Sequence, residues 1–364
     1  MKTKIIPIFI PHEGCPHDCS FCNQKKIASR QHSPEPAEIQ RVIDRFVFDL
    51  KNAKNRFEIA FYGGSFTAIP PAKQEEYLSL ALENKNQKKL HKIRLSTRPD
   101  YMKADQVRLL KKYGVDHVEL GVQSTDPTVL RQANRHYDYF DVEQAVENCK
   151  QYGLSYGFQI MAGLPGDRRD RFLKTCWELT TLKPKTMRIY PTLVIEDTDL
   201  YRWYREGVYK PLSLSEAVYQ TALAYMIFTS RSIEVIRMGL HGSKDFLDHG
   251  FLAGPFHPAF GELVSGEVYY QLVRTNIKKI GQTNDPIVLN VGRSVFPKII
   301  GQKRSNIERL ENELKRKIVV KQNDRLDQEV LLEWGTVRKQ IAWKEFLKEQ
   351  AQGLKKQYHD EAMR

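Results

Sequence analysis

Three of the five cysteines in this 364-residue chain fall within eight positions, in the stretch GCPHDCSFCNQ that spans residues 14–24. Cys15, Cys19 and Cys22 form a C-x3-C-x2-C pattern. Thiols this close together in a reducing compartment bind metal more often than they pair. A structural zinc site closes its shell with four ligands, and His12 or His17 could supply the fourth. The other reading is an iron–sulfur cluster with one iron left open to a further ligand. Cys149 and Cys176 lie in helical patterns and read as small buried apolar side chains.

Other residues that could do chemistry stand at the ends of β-rich runs. FYGGSFT, residues 61–67, carries Gly63 and Gly64, where a missing Cβ lets another group approach the backbone. Ser65 and Thr67 stand beside them. Tyr62, Arg188 and Tyr190 are expected at strand ends facing one mouth, either as substrate contacts or as ordinary interior packing. No metal site is expected at His241, His249 and His257.

The elements that must position these residues follow a simple rhythm. Apolar runs at 4–11, 56–64, 91–99, 116–124, 155–165 and 185–194 alternate with amphipathic helical stretches. Crossovers this long imply parallel strands, and six such units imply a partial (β/α)6 barrel with its chemistry at the strand ends. This gives a barrel core over 1–195, a helical and loop-rich extension over 196–284, a small α+β module over 285–335 and a charged helical tail over 336–364.

With 41% hydrophobic and 28% charged residues, the chain reads as an ordinary soluble protein. No run reaches membrane-spanning length and no secretory signal is visible, so a cytoplasmic location is expected. The net charge of +13 is uneven, with 20 Lys/Arg against 12 Asp/Glu from Tyr269 onward. An end this basic suits a polyanionic partner, nucleic acid first, although a solvated basic face would read the same way.

The C-x3-C-x2-C pattern, with Phe21 just before the third cysteine and placed after the first strand, resembles the radical S-adenosylmethionine (SAM) superfamily. The resemblance implies that Cys15, Cys19 and Cys22 hold a [4Fe–4S] cluster whose fourth iron takes the amino and carboxylate groups of S-adenosylmethionine. Reductive cleavage of that cofactor then yields a 5′-deoxyadenosyl radical. It also implies a methionine-binding role for Gly63 and Gly64 with Ser65, and contacts to the cofactor from Gln123 and Arg135. Ser96 stands where some relatives carry a cofactor-binding Glu, and Gln159 where many carry an acid on the ribose. Met161 and the Gly163–Pro165 turn would pack on the adenine. An electron donor such as a flavodoxin or ferredoxin is implied; the oligomeric state is left open.

PHEGCPHDCSFCNQ, FYGGSFTAIP, STRPD, VELGVQS, NRHY, AGLPGD and RIYPTLVIEDTDLY together resemble the Elongator-type branch over roughly residues 1–270. Members of that branch act on transfer RNA and continue into an acetyltransferase domain. Here the motifs lead instead into VGRSVFPKIIGQKRSNIERLENELKRKIVVKQND, which resembles a KH module. KH domains clamp single strands with a G-x-x-G turn. The turn here is Gly301-Gln302-Lys303-Arg304, with arginine for the second glycine, and Gly301, Lys303 and Arg304 are the candidate RNA contacts. The expected function is radical modification of a nucleobase in transfer or ribosomal RNA. Without a second cysteine cluster, methylthiolation is disfavoured. The alternatives are porphyrinogen-oxidase-like chemistry on a small molecule, and a zinc-stabilised RNA-binding protein without catalysis.

Overall fold

The computed structural model describes residues 3–11, 13, 15, 19–24, 27, 32–49, 56–88, 90–240, 250–280 and 285–362. Seven parallel strands form its main sheet: β1 (Thr3–Ile10), β2 (Arg56–Gly63), β3 (Lys92–Thr97), β4 (His117–Gln123), β5 (Ser155–Ala162), β6 (Thr186–Pro191) and β8 (Glu234–Met238). Their order in the sheet is their order in the chain. The intervening helices are α1 (Pro36–Asp49), α2 (Pro71–Gln87), α3 (Ala104–Lys112), α4 (Pro127–Gln132), α5 (Tyr139–Gln151), α6 (Arg169–Thr181), α7 (Asp199–Arg205) and α8 (Leu214–Ser230). Two short strands, β7 (Val194–Ile195) and β9 (Phe251–Ala253), pair antiparallel beside the main sheet.

Alternation along each strand sends one set of side chains under the helices and the other to the concave face. Ile6, Ile8, Ile59, Phe61, Ile93, Leu95, Val118, Leu120, Phe158, Ile160, Met187 and Ile189 are all buried in the helix-covered core. Each such side chain contributes about 1.5–3 kcal/mol on leaving water. Tyr62 on β2 and Arg188 on β6 meet across the concave face, where the guanidinium donates to the phenol at 2.8 Å. Three strands separate them in the sheet, so the sheet must curl into a half-barrel. Among the described residues no ladder joins β1 to β8, and that side stays open.

The sequence reading expected six strand–helix units, and the sheet has a seventh strand. Residues 234–238 belong to the barrel sheet, not to a helical and loop-rich stretch. In SIEVIRM the charged Glu234 and Arg237 interrupt the apolar run, and none of the strand's five residues is fully buried. A buried-strand pattern is therefore missing.

After α9 (Phe260–Lys278) comes a four-stranded sheet in the order β11 (Ile318–Gln322), β10 (Ile287–Val291), β12 (Val330–Trp334), β13 (Val337–Ile341). β10 and β11 run parallel and the other pairs antiparallel. Between β10 and β11 lie α10 (Phe296–Ile300), a turn over Gln302–Arg304 and α11 (Ser305–Leu314). α11 seats on α9: Asn306 donates to the Gly266 carbonyl at 3.1 Å, Arg309 pairs with Glu267 at 2.8 Å, and the Tyr270 hydroxyl donates to Glu313. The expected helical tail instead opens with β13, and α12 (Trp343–Ala362) then packs back along α8, with Trp343 stacked on Tyr269 at 4.5 Å.

Candidate functional site at the mouth of the half-barrel

The cysteine loop follows β1 and is held from three sides. The backbone of Gly64 donates to the Ile10 carbonyl at 2.8 Å; that of Ser20 donates to Ala133, just past α4; that of Leu200 on α7 donates to Ser20. A Cβ on Gly64 would lie 2.1 Å from the Glu13 carbonyl oxygen, and one on Gly63 would lie 2.6 Å from that of Ile10. Gly63 also sits at φ +115°, a conformation open only to glycine. The two glycines thus first serve to let the cysteine loop lie directly on the end of β2.

Cys15, Cys19 and Cys22 are all free and half-buried. Burial pushes the Cys15 thiol up, although the Ser65 backbone amide and the Arg98 and Arg135 cations oppose this. Burial also raises the Cys22 thiol, and its two neighbouring cysteines raise it further. The three sulfurs therefore feel one another. Among the described residues no three His, Cys, Asp or Glu side chains gather into the shell of a single metal ion. Three thiols in one loop can ligate a cluster, whose own irons and sulfides hold the thiolates apart. His12 and His17, the zinc candidates, and His241 and His249 lie outside the described residues; the His257 ring accepts from the Ala259 backbone.

Phe21, Met161 and Leu164 form a separate apolar cluster with Val129, Val194 and Leu200, and Cys19, Cys22 and Tyr190 pack against it. This is the wall beside the thiols where a flat aromatic group would find contact. Arg135 is buried, and each of its guanidinium nitrogens has a partner: Nη1 donates to Cys19 Sγ at 3.2 Å, Nη2 to the Gly121 carbonyl at 2.5 Å and Nε to the Tyr137 hydroxyl at 2.8 Å. The sequence reading missed Arg98. It is buried, pairs with Asp100 through Nε and Nη2, and shares the Tyr137 ring with Arg135. Its Nη1 is buried with no partner, and so is the Oε1 of Gln123, a residue held at φ +64°. Orphaned groups such as these cost stability unless a ligand satisfies them. Beside three thiols they fit an anionic cluster and a polar cofactor. Ser96 and Gln159 are half-buried at the strand positions that face the same concavity.

Below the thiols the concave face is charged. Glu119 receives Arg94, and also Arg188 at 2.5 Å; Glu58 pairs with Arg94 at 3.1 Å and Lys92 at 3.6 Å. Arg188 also donates to the Tyr190 hydroxyl at 3.2 Å, so the three expected substrate contacts, Tyr62, Arg188 and Tyr190, do come together. The Tyr62 hydroxyl is pushed up to about 12 by burial and then by the Glu119 carboxylate. It stays protonated at neutral pH. Glu58, Arg94, Glu119 and Arg237 went unread in the sequence. Their signal was a charge at an inward position of a parallel strand, where both faces are normally apolar.

Gly301 takes φ +73° in the C-terminal turn, and Lys303 and Arg304 follow at +50° and +66°. Arg304 therefore holds the left-handed backbone that a second glycine would take, with both cations exposed.

Comparison with known proteins agrees with this geometry. The model described as "Radical SAM superfamily" matches residues 9–176, and "Radical_SAM C-terminal domain" matches residues 184–270, together well over half of the chain. A tRNA uridine(34) acetyltransferase of Methanocaldococcus jannaschii is 27% identical over 257 residues, covering 59% of this chain and 47% of that protein. Elongator complex protein 3 of Saccharomyces cerevisiae is 29% identical over 46% of this chain and 34% of its own. The chain thus spans about half or less of these relatives' lengths. The structure of archaeal Elp3 from Methanocaldococcus infernus, with an N-terminal deletion, superposes with a TM-score of 0.58 at 19% identity, over 91% of this chain and 74% of that one. No helix of the described residues is long and apolar enough to cross a membrane. The cofactors of the matched superfamily are a [4Fe–4S] cluster and S-adenosylmethionine. The thiol loop lies on a parallel half-barrel, and both family models match the part of the chain that builds it: this chain belongs to the radical SAM superfamily.

Proposed function

We propose that the protein modifies a nucleobase in RNA, transfer RNA first and ribosomal RNA second. The observation that carries this reading is the similarity to tRNA uridine(34) acetyltransferases over 59% of the chain. Cys15, Cys19 and Cys22 would ligate the cluster. Phe21, Met161 and the orphaned Gln123 oxygen would seat the cofactor, with Gly63, Gly64, Ser65, Ser96 and Gln159 around it. When bound, the two cofactors supply a one-electron reduction and a hydrogen-abstracting radical. The chain's part is position and exclusion of water. Arg135 stabilises negative charge on Cys19, the apolar wall keeps solvent from the thiols, and Arg188 fixes Tyr62 and Tyr190 at the mouth.

The C-terminal module would hold the RNA. Its exposed Lys303 and Arg304 flank a glycine turn of the kind that lies against a phosphate backbone. A flavodoxin or ferredoxin would supply the electron, and the working site would be the cytoplasm. The test compares nucleoside mass spectra of total RNA from cells with and without the gene. A modified nucleoside lost on deletion and restored by the wild type, but not by a Cys19→Ala variant, is the expected result. Spectra that match in every RNA class would remove the proposal.

A further inference from the structure

One cation in the half-barrel is left over. Glu58 is taken by Lys92 and Arg94, and Glu119 by Arg94 and Arg188. Arg237 lies on β8, the strand at the open side, in register with Arg188 on β6. It is half-buried, and among the described residues it has no carboxylate partner; its Nε donates to the Gly239 carbonyl at 3.3 Å. Burial holds its pKa down, and Arg188 adds to this, so the group sits where another positive charge is unwelcome and an anion is wanted.

Two phenols stand with it. Tyr62 and Tyr190 are both bonded by Arg188, the residue in register with Arg237 on the neighbouring strand, so the three groups share the mouth. Each hydroxyl already accepts from Arg188, which leaves its own O–H to donate, and the described residues offer neither an acceptor. A guanidinium and two phenolic O–H groups from β8, β6 and β2 therefore stand together, and among the described residues no anion receives them. Donors so arranged recognise an oxyanion with several outward oxygens.

We propose that Arg237, with Tyr62 and Tyr190, forms a phosphate-binding site at the open side of the half-barrel, and that it holds a phosphate group of the substrate nucleotide. This rests on the RNA reading for its source, while the oxyanion chemistry stands on the geometry alone. Arg188 is then a positioning residue that presents the two phenols, and Arg237 is the group that touches substrate.

The same chemistry could come from the carboxylate of S-adenosylmethionine, and the test separates the two. Inorganic phosphate is titrated calorimetrically into the anaerobically reconstituted full-length protein, with and without saturating S-adenosylmethionine. Wild type is expected to bind phosphate equally in both conditions. Arg237→Ala should weaken phosphate binding by about tenfold or more, as loss of a charged hydrogen bond does, and Arg237→Lys should recover part of it. Phosphate affinity unchanged in Arg237→Ala would overturn the site. Displacement of phosphate by S-adenosylmethionine would overturn its assignment to substrate. If the site behaves as expected while deletion of the gene leaves every nucleoside intact, the RNA reading fails and the oxyanion site survives.

Discussion

Arg135 donates a hydrogen bond from Nη1 to the Sγ of Cys19 at 3.2 Å, while its other nitrogens are anchored on Gly121 and Tyr137. With Cys19 as a cluster ligand, a buried cation fixed on its sulfur would favour the reduced, more negative state of the cluster. Arg135→Met is therefore expected to lower the midpoint potential of the reconstituted cluster. Loss of tenfold in stabilisation corresponds to roughly 60 mV for a one-electron couple. An electron-paramagnetic-resonance redox titration reads it without any turnover. A potential unmoved by the substitution would mean that Arg135 only ties α4 to β4.

The close contact of Gly64 with the Glu13 carbonyl makes a second prediction, this one about stability. In Gly64→Ala the new methyl would meet backbone oxygen at 2.1 Å, and backbone cannot swing aside as a flexible side chain can. The cost is expected to be roughly 3 kcal/mol or more, at the upper end for overpacking. Urea denaturation of the variant without metal measures it. A cost under about 1 kcal/mol would show that the loop yields easily, and would return the glycine pair to a purely ligand-facing role.

Much of this site was legible because its chemistry is written in local spacing. C-x3-C-x2-C lies in one loop, and the strand ends that carry Tyr62, Gln123 and Tyr190 follow apolar runs that are easy to find. What escaped is set by long-range pairing. Arg98 lies two residues from Ser96, which drew the attention, yet Arg98 is the group that turns back to share the Tyr137 ring with Arg135. Arg135 reads as a cofactor contact, and its three bonds to Cys19, Gly121 and Tyr137 are not visible in the sequence. β13 was hidden for another reason. In Val337–Ile341 only Ile341 is buried, so an edge strand facing water on both sides shows no alternation.

The closed end of the half-barrel makes a prediction about pH. His117 bonds Ser155 through Nδ1 and Thr186 through Nε2, and burial, with Arg94 next, holds its pKa down at about 3. Between about pH 3 and 6.5 the unfolded chain binds a proton there that the folded chain does not. Stability from this group is thus present above about pH 6.5 and is lost as pH falls, by up to about 1.4 kcal/mol per unit. Asp167 has the opposite sign. Burial raises it to about 7, so the folded form keeps a proton that the unfolded form releases, and its contribution is lost as pH rises from about 4 to 7. The two slopes oppose each other between about pH 4.5 and 6. His117→Gln should therefore leave a protein that loses stability with rising pH over that range relative to wild type, and Asp167→Asn one that gains it. Denaturant midpoints at stepped pH compare the three, and parallel curves would show that neither group titrates across folding.

Arg304 carries the last prediction, because its backbone and its charge pull apart. At φ +66° an arginine pays roughly 1 kcal/mol that glycine does not, while glycine loses a similar amount through its freer unfolded chain. Arg304→Gly is thus expected to change stability by less than about 1 kcal/mol. If the turn lies against RNA phosphate, removing the cation should cut the slope of log affinity against log salt by about 0.7, the value for one contact on a single strand. Lys303→Gln should do the same and add to it, since each side chain would neutralise its own phosphate. A salt slope unchanged in both variants, with stability intact, would assign the turn to packing between α10 and α11 and move RNA binding elsewhere on the basic C-terminal surface.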